Sequence, residues 1–443
     1  MKRRTISYLV LCILFGSMAI SGNLYGDVQN ESHGRLELSD LVSEALDRNP
    51  DIIAARERWL SGREIIEARR AFPDPQLSYT YFVENVETRV GPQRHVFGAK
   101  QTLPFFGKRD LRAEMAAKEA ENLKYLYEAT KSEIVRHVEK TYYDLFYYST
   151  IFEITQNEKK LLERFERIAS MKYETGTGLQ QNILKVQVEI SKLNERLLVL
   201  EKQRQTMEAM LNTLLDKPPN QPLRRPGKPE LVHVSAGLDE LLKLARERRP
   251  EVSAAHARVE RSRSAYKLAK KDYAPDLTIG FNYIEVGERS TPVRDNGQDA
   301  FNVMLGINLP IWQKKLSSQA KSALKTISSH KSSYHDTLNR TLFEVKDHFF
   351  KMQTALATVQ LYEDTLIPQA EQSMESAEAG YVTGIMSFLD VLDAERVLLS
   401  IRFGYWQAYT DYLKHVSDLE RSVGIQPAVS SSSEVTGGIE EGE

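Results

Sequence analysis

The sequence predicts a mainly α-helical chain of long antiparallel coiled-coil helices with a membrane β-barrel portion. Three observations carry this fold class. The chain repeats itself after about 200 residues. Its helices bear heptad seams and are too long to enclose a compact core. Four short segments alternate with period two at about the length that crosses a bilayer.

The elements follow in chain order. Lys2, Arg3 and Arg4 precede an apolar run from Tyr8 to Ile20, the layout of a secretory signal peptide, expected over residues 1–26 with cleavage between 21 and 26. The run is shorter than the ~20 apolar residues of a membrane-spanning helix, and no comparable run follows. An exported chain with no transmembrane helix is therefore expected. Cys12, the only cysteine, lies inside that run behind Leu11, so neither a lipid anchor nor a disulfide framework is expected. A net charge of −2 over 443 residues gives no electrostatic reason to bind nucleic acid. A mean hydropathy of −0.42 reads as soluble, but alternating barrel strands barely raise that average.

The first repeat is expected over residues 27–216 and the second over 231–424. Leu46, Pro50 and Asp51 recur as Leu244, Pro250 and Glu251, and Pro75 and Leu77 as Pro275 and Leu277. Leu103 and Pro104 recur as Leu309 and Pro310; Tyr173, Thr175 and Gly176 recur as Tyr381, Thr383 and Gly384. Between the halves, the proline-rich stretch 217–230 excludes helix and sheet interior and reads as an ordered surface linker. The tail 425–443 is small, polar and acidic, the composition of a disordered segment.

Each half reads helix, hairpin, long helix, tip, helix. The hairpins are expected over 77–103 and 277–309, and the tips over 172–180 and 380–388. The helix after the first tip carries the clearest seam: Ile183, Val186, Ile190, Leu193, Leu197, Leu200, Arg204, Met207, Leu211 and Leu214. Val391, Ala394, Leu398, Ile401, Tyr405, Ala408, Tyr412, His415 and Leu419 repeat the rhythm after the second tip. The long helix from Asp110 to Lys172 would be about 95 Å at 1.5 Å per residue, and Pro368 should kink its counterpart.

In the strands, Phe301, Val303, Leu305 and Ile307 alternate with Asn302, Met304 and Gly306, and Leu277, Ile279, Phe281 and Tyr283 do likewise. Phe72, Phe105, Phe106, Tyr273 and Trp312 cluster at the strand ends, with Lys108, Arg109, Lys314 and Lys315 just beyond. Aromatics followed by cations suit a membrane–water interface. Four strands cannot close a barrel, since bacterial barrels start at about eight; several chains must contribute, and a homotrimer would supply twelve.

The signal, the duplicated helix–hairpin–helix plan, the Leu-Pro strand ends and the Tyr-x-Thr-Gly tips together resemble the TolC family of outer-membrane efflux proteins. The stretch "AGYVTGIMSFLDVLDAERVLL" (residues 379–399) is similar to that family's second periplasmic tip. The resemblance implies a trimer, a twelve-stranded barrel in outer-membrane lipid and a tapered α-helical tunnel. It also implies a hexameric periplasmic adaptor on the tips and an inner-membrane pump beyond it. "QTLPFFGKRDLR" (residues 101–112) resembles the heavy-metal branch, whose pumps are of the resistance–nodulation–division class.

Asp390 and Asp393, three apart, share a helical face about a turn below the tip. Three copies would ring a narrow mouth with carboxylates that attract cations; the resemblance makes them the periplasmic gate. Tyr381 is similar to the family's tip tyrosine, which latches the closed state. Its partner position is Asn182 instead of aspartate, and Met386 replaces the latch arginine, so a weaker latch is expected. Thr175, Gly176, Thr383 and Gly384 would form the turns and the adaptor-docking surface.

His330 and His335 stand five apart, His95 falls on a loop and His256 on a polar helix, so no metal constellation is expected. No nucleophile–base set, phosphate loop or dinucleotide fingerprint occurs; neither catalysis nor a cofactor is expected. A passive efflux duct is the leading expectation. A protein-secretion exit duct shares its fold, and a pore-less periplasmic coiled-coil scaffold is the alternative of another class.

Overall fold

The computed structural model describes residues 34–290 and 294–425. The expected signal peptide and nearly all of the expected tail lie outside them. The fold class is the one expected: nine α-helices and one four-stranded sheet among the described residues.

The helices are α1 (Leu38–Arg48), α2 (Pro50–Arg70), α3 (Lys108–Glu174), α4 (Gln180–Leu214), α5 (Leu238–Arg248), α6 (Pro250–Lys271), α7 (Gln313–Leu361), α8 (Ile367–Val382) and α9 (Phe388–Val423). In both repeats a proline opens the second helix, where its missing N–H costs nothing. Asn49 caps α2 by accepting from the Asp51 and Ile52 amides at 3.0 and 3.4 Å. Arg249, its counterpart, caps nothing with its side chain and pairs instead with Glu344 at 2.6 Å.

α3 is 67 residues long, about 100 Å. It packs against α2, α4, α6 and α9, and α7 packs against α6 and α9. Every member of the α4 seam is buried or half-buried, Arg204 included; it is held by Glu201 and Glu208 at 2.8 and 2.7 Å. The break ahead of Pro368 takes a particular form. Tyr362–Leu366 is a π-helical segment between α7 and α8, and the Ile367 amide donates to the Tyr362 carbonyl. The widened turn takes up the ring that would otherwise clash with the carbonyl four residues back.

The main core lies where α1, α3, α4, α5, α7 and α9 meet, around Val138, Leu145, Leu211, Val345, Tyr412 and Leu419. The linker is stitched onto it. Leu36 bridges to Pro226, the Tyr142 hydroxyl lies 3.1 and 3.0 Å from the Leu36 and Gly227 carbonyls, and Tyr409 donates to the Pro229 carbonyl at 2.6 Å.

The sheet runs β1 (Gln76–Thr88), β2 (Gly91–Leu103), β3 (Leu277–Val286) and β4 (Ala300–Ile307), antiparallel throughout and in chain order. Register aligns Tyr79, Phe97, Tyr283 and Phe301 across one face, and Leu77, Ala99, Phe281 and Val303 beside them. The opposite face carries Ser78, Gly98, Asn282 and Asn302, the last two hydrogen-bonded at 2.9 Å. Large apolar side chains on the first face are exposed, Leu77 at 82 % and Leu305 at 71 %. Among the described residues, β1 and β4 each leave one edge unpaired.

Candidate functional site

The sequence-expected residues fall at two ends of the helices. At the sheet end, Phe72, Phe105, Phe106, Tyr273 and Trp312 are all exposed. The Arg109 guanidinium lies 3.5 Å from the Phe72 ring centroid, and Phe105 meets Phe106 edge-on. Lys108 departs from expectation. It is buried, donating to Asp276 and to the Ala274 carbonyl at 2.9 Å each, and ties β3 to α3 instead of facing headgroups. A lysine buried beside a carboxylate avoids the penalty of an unpaired charge.

At the other end the two tips begin with one motif. Gly176 has φ 75° and Gly384 φ 76°, each just past a helix end. Gly176 N–H donates to the Tyr173 carbonyl at 3.0 Å and Thr177 N–H to that of Lys172 at 2.8 Å. Gly384 N–H and Ile385 N–H repeat this onto Tyr381 and Gly380 at 3.3 and 2.9 Å. The two bonds are a Schellman cap, and left-handed glycine is what it requires. The Thr175 and Thr383 hydroxyls add contacts of 3.1 Å to carbonyls of the preceding turn. Tyr-x-Thr-Gly is thus a helix-ending sequence whose threonine and glycine each satisfy or permit a named bond. Both glycines and both threonines are exposed.

Asp390 and Asp393 are exposed and line a groove between α4 and α9 with Gln181, Lys185, Glu189 and Arg396. Two cations therefore share the groove with the carboxylates, and Arg396 is paired with Glu189. Asp390 has a further role that its spacing did not disclose. Its Oδ2 accepts from the Ser387 hydroxyl and the Ser387 amide at 2.8 Å each, completing the capping box of α9. Those two bonds hold its carboxyl below the ordinary carboxylate range.

Tyr381 is half-buried, edge-on to Phe388 at 5.6 Å, with Lys172 Nζ 3.8 Å from its ring centroid. Asn182 lies in the first turn of α4, its amide on the Leu179 carbonyl. No hydrogen bond joins Tyr381 to Asn182 within the chain among the described residues.

Sequence reasoning missed two clusters. Glu395, 4 % exposed, lies between α3 and α9 against Glu158. Burial first, then the hydrogen bond to Glu158, raises its carboxyl far above the usual range. The signal was available: Leu392, Glu395, Leu399 and Phe403 form a second apolar stripe on α9 with one carboxylate in it. The other cluster is His348, His415 and Asp418, whose ligating atoms lie within 4.8 Å of one another. The histidines weighed from the sequence were four others. His348 and His415 are far apart in the chain and only the packing of α7 on α9 unites them.

A model of the family described as outer membrane efflux protein matches residues 41–216 and 241–425. The chain belongs to that family. The match skips the ends and residues 217–240, so it covers most of both repeats. Among curated relatives, this efflux protein is 22 % identical over 409 residues to the cobalt-zinc-cadmium resistance protein CzcC of Cupriavidus metallidurans, spanning 89 % of this chain and 91 % of that one. It is 20 % identical over 402 residues to the outer membrane protein TolC of Vibrio cholerae, 87 % and 90 % of the two chains. Solved structures share the fold: CusC (TM-score 0.76, 17 % identity, 90 % and 95 % covered) and the outer-membrane channel OprN (TM-score 0.75, 16 % identity, 89 % and 94 % covered). VceC from Vibrio cholerae matches at TM-score 0.74 and 20 % identity over 87 % and 96 %. The efflux protein is an outer-membrane channel component extending into the periplasm, and not an enzyme.

Proposed function

We propose that three copies of this efflux protein close one twelve-stranded barrel and one helical tunnel. The assembly is the passive exit duct of a tripartite system, fed by an inner-membrane pump through a periplasmic adaptor. The observation that carries this is the sheet: an exposed apolar face, an opposite face with Ser78, Asn282 and Asn302 at its centre, and two edges open among the described residues, joined to a helix about 100 Å long. Lipid suits the first face, a water-filled lumen the second, and a neighbouring chain each edge. Phe343 and Phe350, exposed along the α7–α9 groove, suit a neighbouring helix pair. Exposed Val382, Ile385 and Leu179 around the two glycine turns offer the adaptor an apolar surface. Phe72, Phe105, Phe106, Tyr273 and Trp312 mark the membrane interface. Asp390 and Asp393 form the gate, and Tyr381 and Asn182 of adjacent chains its latch. Metal cations are the proposed cargo, on the kinship with the cobalt-zinc-cadmium resistance protein.

Single-channel conductance in a planar bilayer tests the reading. The wild type should conduct weakly and be blocked by a multivalent cation added from the tip side. Asp390→Ala with Asp393→Ala should conduct more and lose the block. Ser387→Ala serves as control, since it removes the cap and keeps both carboxylates. No channel from any of them overturns the duct; block that survives the double substitution overturns the gate.

A further inference from the structure

We propose that His348, His415 and Asp418 bind a first-row transition-metal dication of the Zn2+ or Co2+ type between α7 and α9. His348 stands on α7; His415 and Asp418, three apart, stand on the facing side of α9. With ligating atoms at most 4.8 Å apart, an ion at the centre of the triangle is within about 2.8 Å of each (4.8 Å divided by √3). Zinc bonds to nitrogen and oxygen are about 2.0–2.2 Å. The remaining gap is under about 1 Å per ligand, within the reach of side-chain rotation.

The unmet bonding is the second observation. Nδ1 of both His348 and His415 is buried with no hydrogen-bond partner among the described residues. Buried polar atoms are normally paired, and two clustered imidazoles that each keep an orphaned ring nitrogen leave room for a shared partner. Two imidazoles and one carboxylate are borderline donors. They suit zinc, cobalt or nickel, whereas calcium and magnesium prefer oxygen sets and cuprous copper prefers thiolate or thioether. Three protein ligands leave a coordination position open for exchange.

Asp418 sets the strength of the site. Its Oδ1 accepts from Arg136 at 2.8 Å and Lys140 at 3.0 Å, and its Oδ2 from Lys140 at 2.9 Å. A carboxylate has about four lone-pair directions, so one remains for a metal. Two cations on the same carboxylate weaken the hold on a third. The site therefore suits a cation that binds and leaves, not a permanent structural ion. His415 also lines the α7–α9 groove, together with Asp347 and Asp411. None of this depends on the exit-duct reading, and conductance and metal titration fail independently.

The test is isothermal titration of Zn2+ alone into the untagged full-length protein in detergent. The wild type should take up one ion per chain. His348→Gln and His415→Gln should each weaken binding about tenfold or more. Lys140→Met should tighten it by freeing Asp418. No binding by the wild type, or unchanged affinity in both histidine variants, overturns the site; unchanged affinity in Lys140→Met removes Asp418 from it and overturns the ligand set. Should a histidine variant fail to fold, Co2+ added to the wild type decides: visible absorption bands of nitrogen-ligated cobalt support the site, and their absence overturns it.

Discussion

At the first tip, α4 begins behind Leu179, whose side chain caps nothing and is 66 % exposed. At the second, α9 begins behind Ser387 in a complete capping box, and Phe388 is 3 % exposed against Phe165 and Tyr381. The helix-ending halves of the two turns are alike, because both repeats keep Tyr-x-Thr-Gly. The helix-starting halves have diverged. One tip is bound into the bundle by an aromatic cluster and a cap, while the other rests on its backbone bonds and the Thr175 and Thr177 hydroxyls.

The largest effect should separate the tips most clearly. Phe388→Ala should cost about 3–5 kcal/mol of packing, whereas Leu179→Ala should stay within about 0.5 kcal/mol. Amide hydrogen exchange at each tip measures both, and equal losses of protection would break the contrast. The shared half of the turn predicts the opposite pattern. Gly176→Ala and Gly384→Ala should each cost about 1–2 kcal/mol, and equally, because a Cβ meets nothing within 4 Å at either position. Unequal costs in thermal unfolding would show that the two backbones are not equivalent.

The smallest effect sharpens the comparison through pH. Ser387→Ala should cost about 1 kcal/mol at the second tip only. Asp390 is bonded to Ser387 in its charged form, so its folded pKa is depressed. Its contribution is present above the ordinary carboxylate range and is lost as pH falls through the depressed value. Exchange at the second tip of the wild type should therefore quicken on acidification more than in Ser387→Ala. A first tip that responded equally would refute the cap as the cause.

Much of this fold was legible because long helices and strands advertise their period. The seam of α4 rests on side chains whose burial follows directly from spacing, and the alternation of β3 and β4 on which face of the sheet each side chain takes. Lys108 was misjudged because a cation after aromatics fits a membrane interface as well as it fits a buried pair, and only the position of Asp276 separates the two. The cap on Asp390 needed the conformation of Ser387, which an i, i+3 spacing leaves open. Glu395 could have been found as a charge within an apolar stripe. His348 could not be matched to His415, since no local pattern encodes the register of α7 on α9.

The open edges of the sheet bear on how the channel is made. A single chain offers hydrocarbon two rows of unpaired amides and carbonyls, each group costing several kcal/mol there. On the proposed trimer, the bilayer would thus reject the lone subunit and admit the closed ring. Membrane entry is then a proofreading step, in which subunits are counted by the hydrogen bonds they leave unmade.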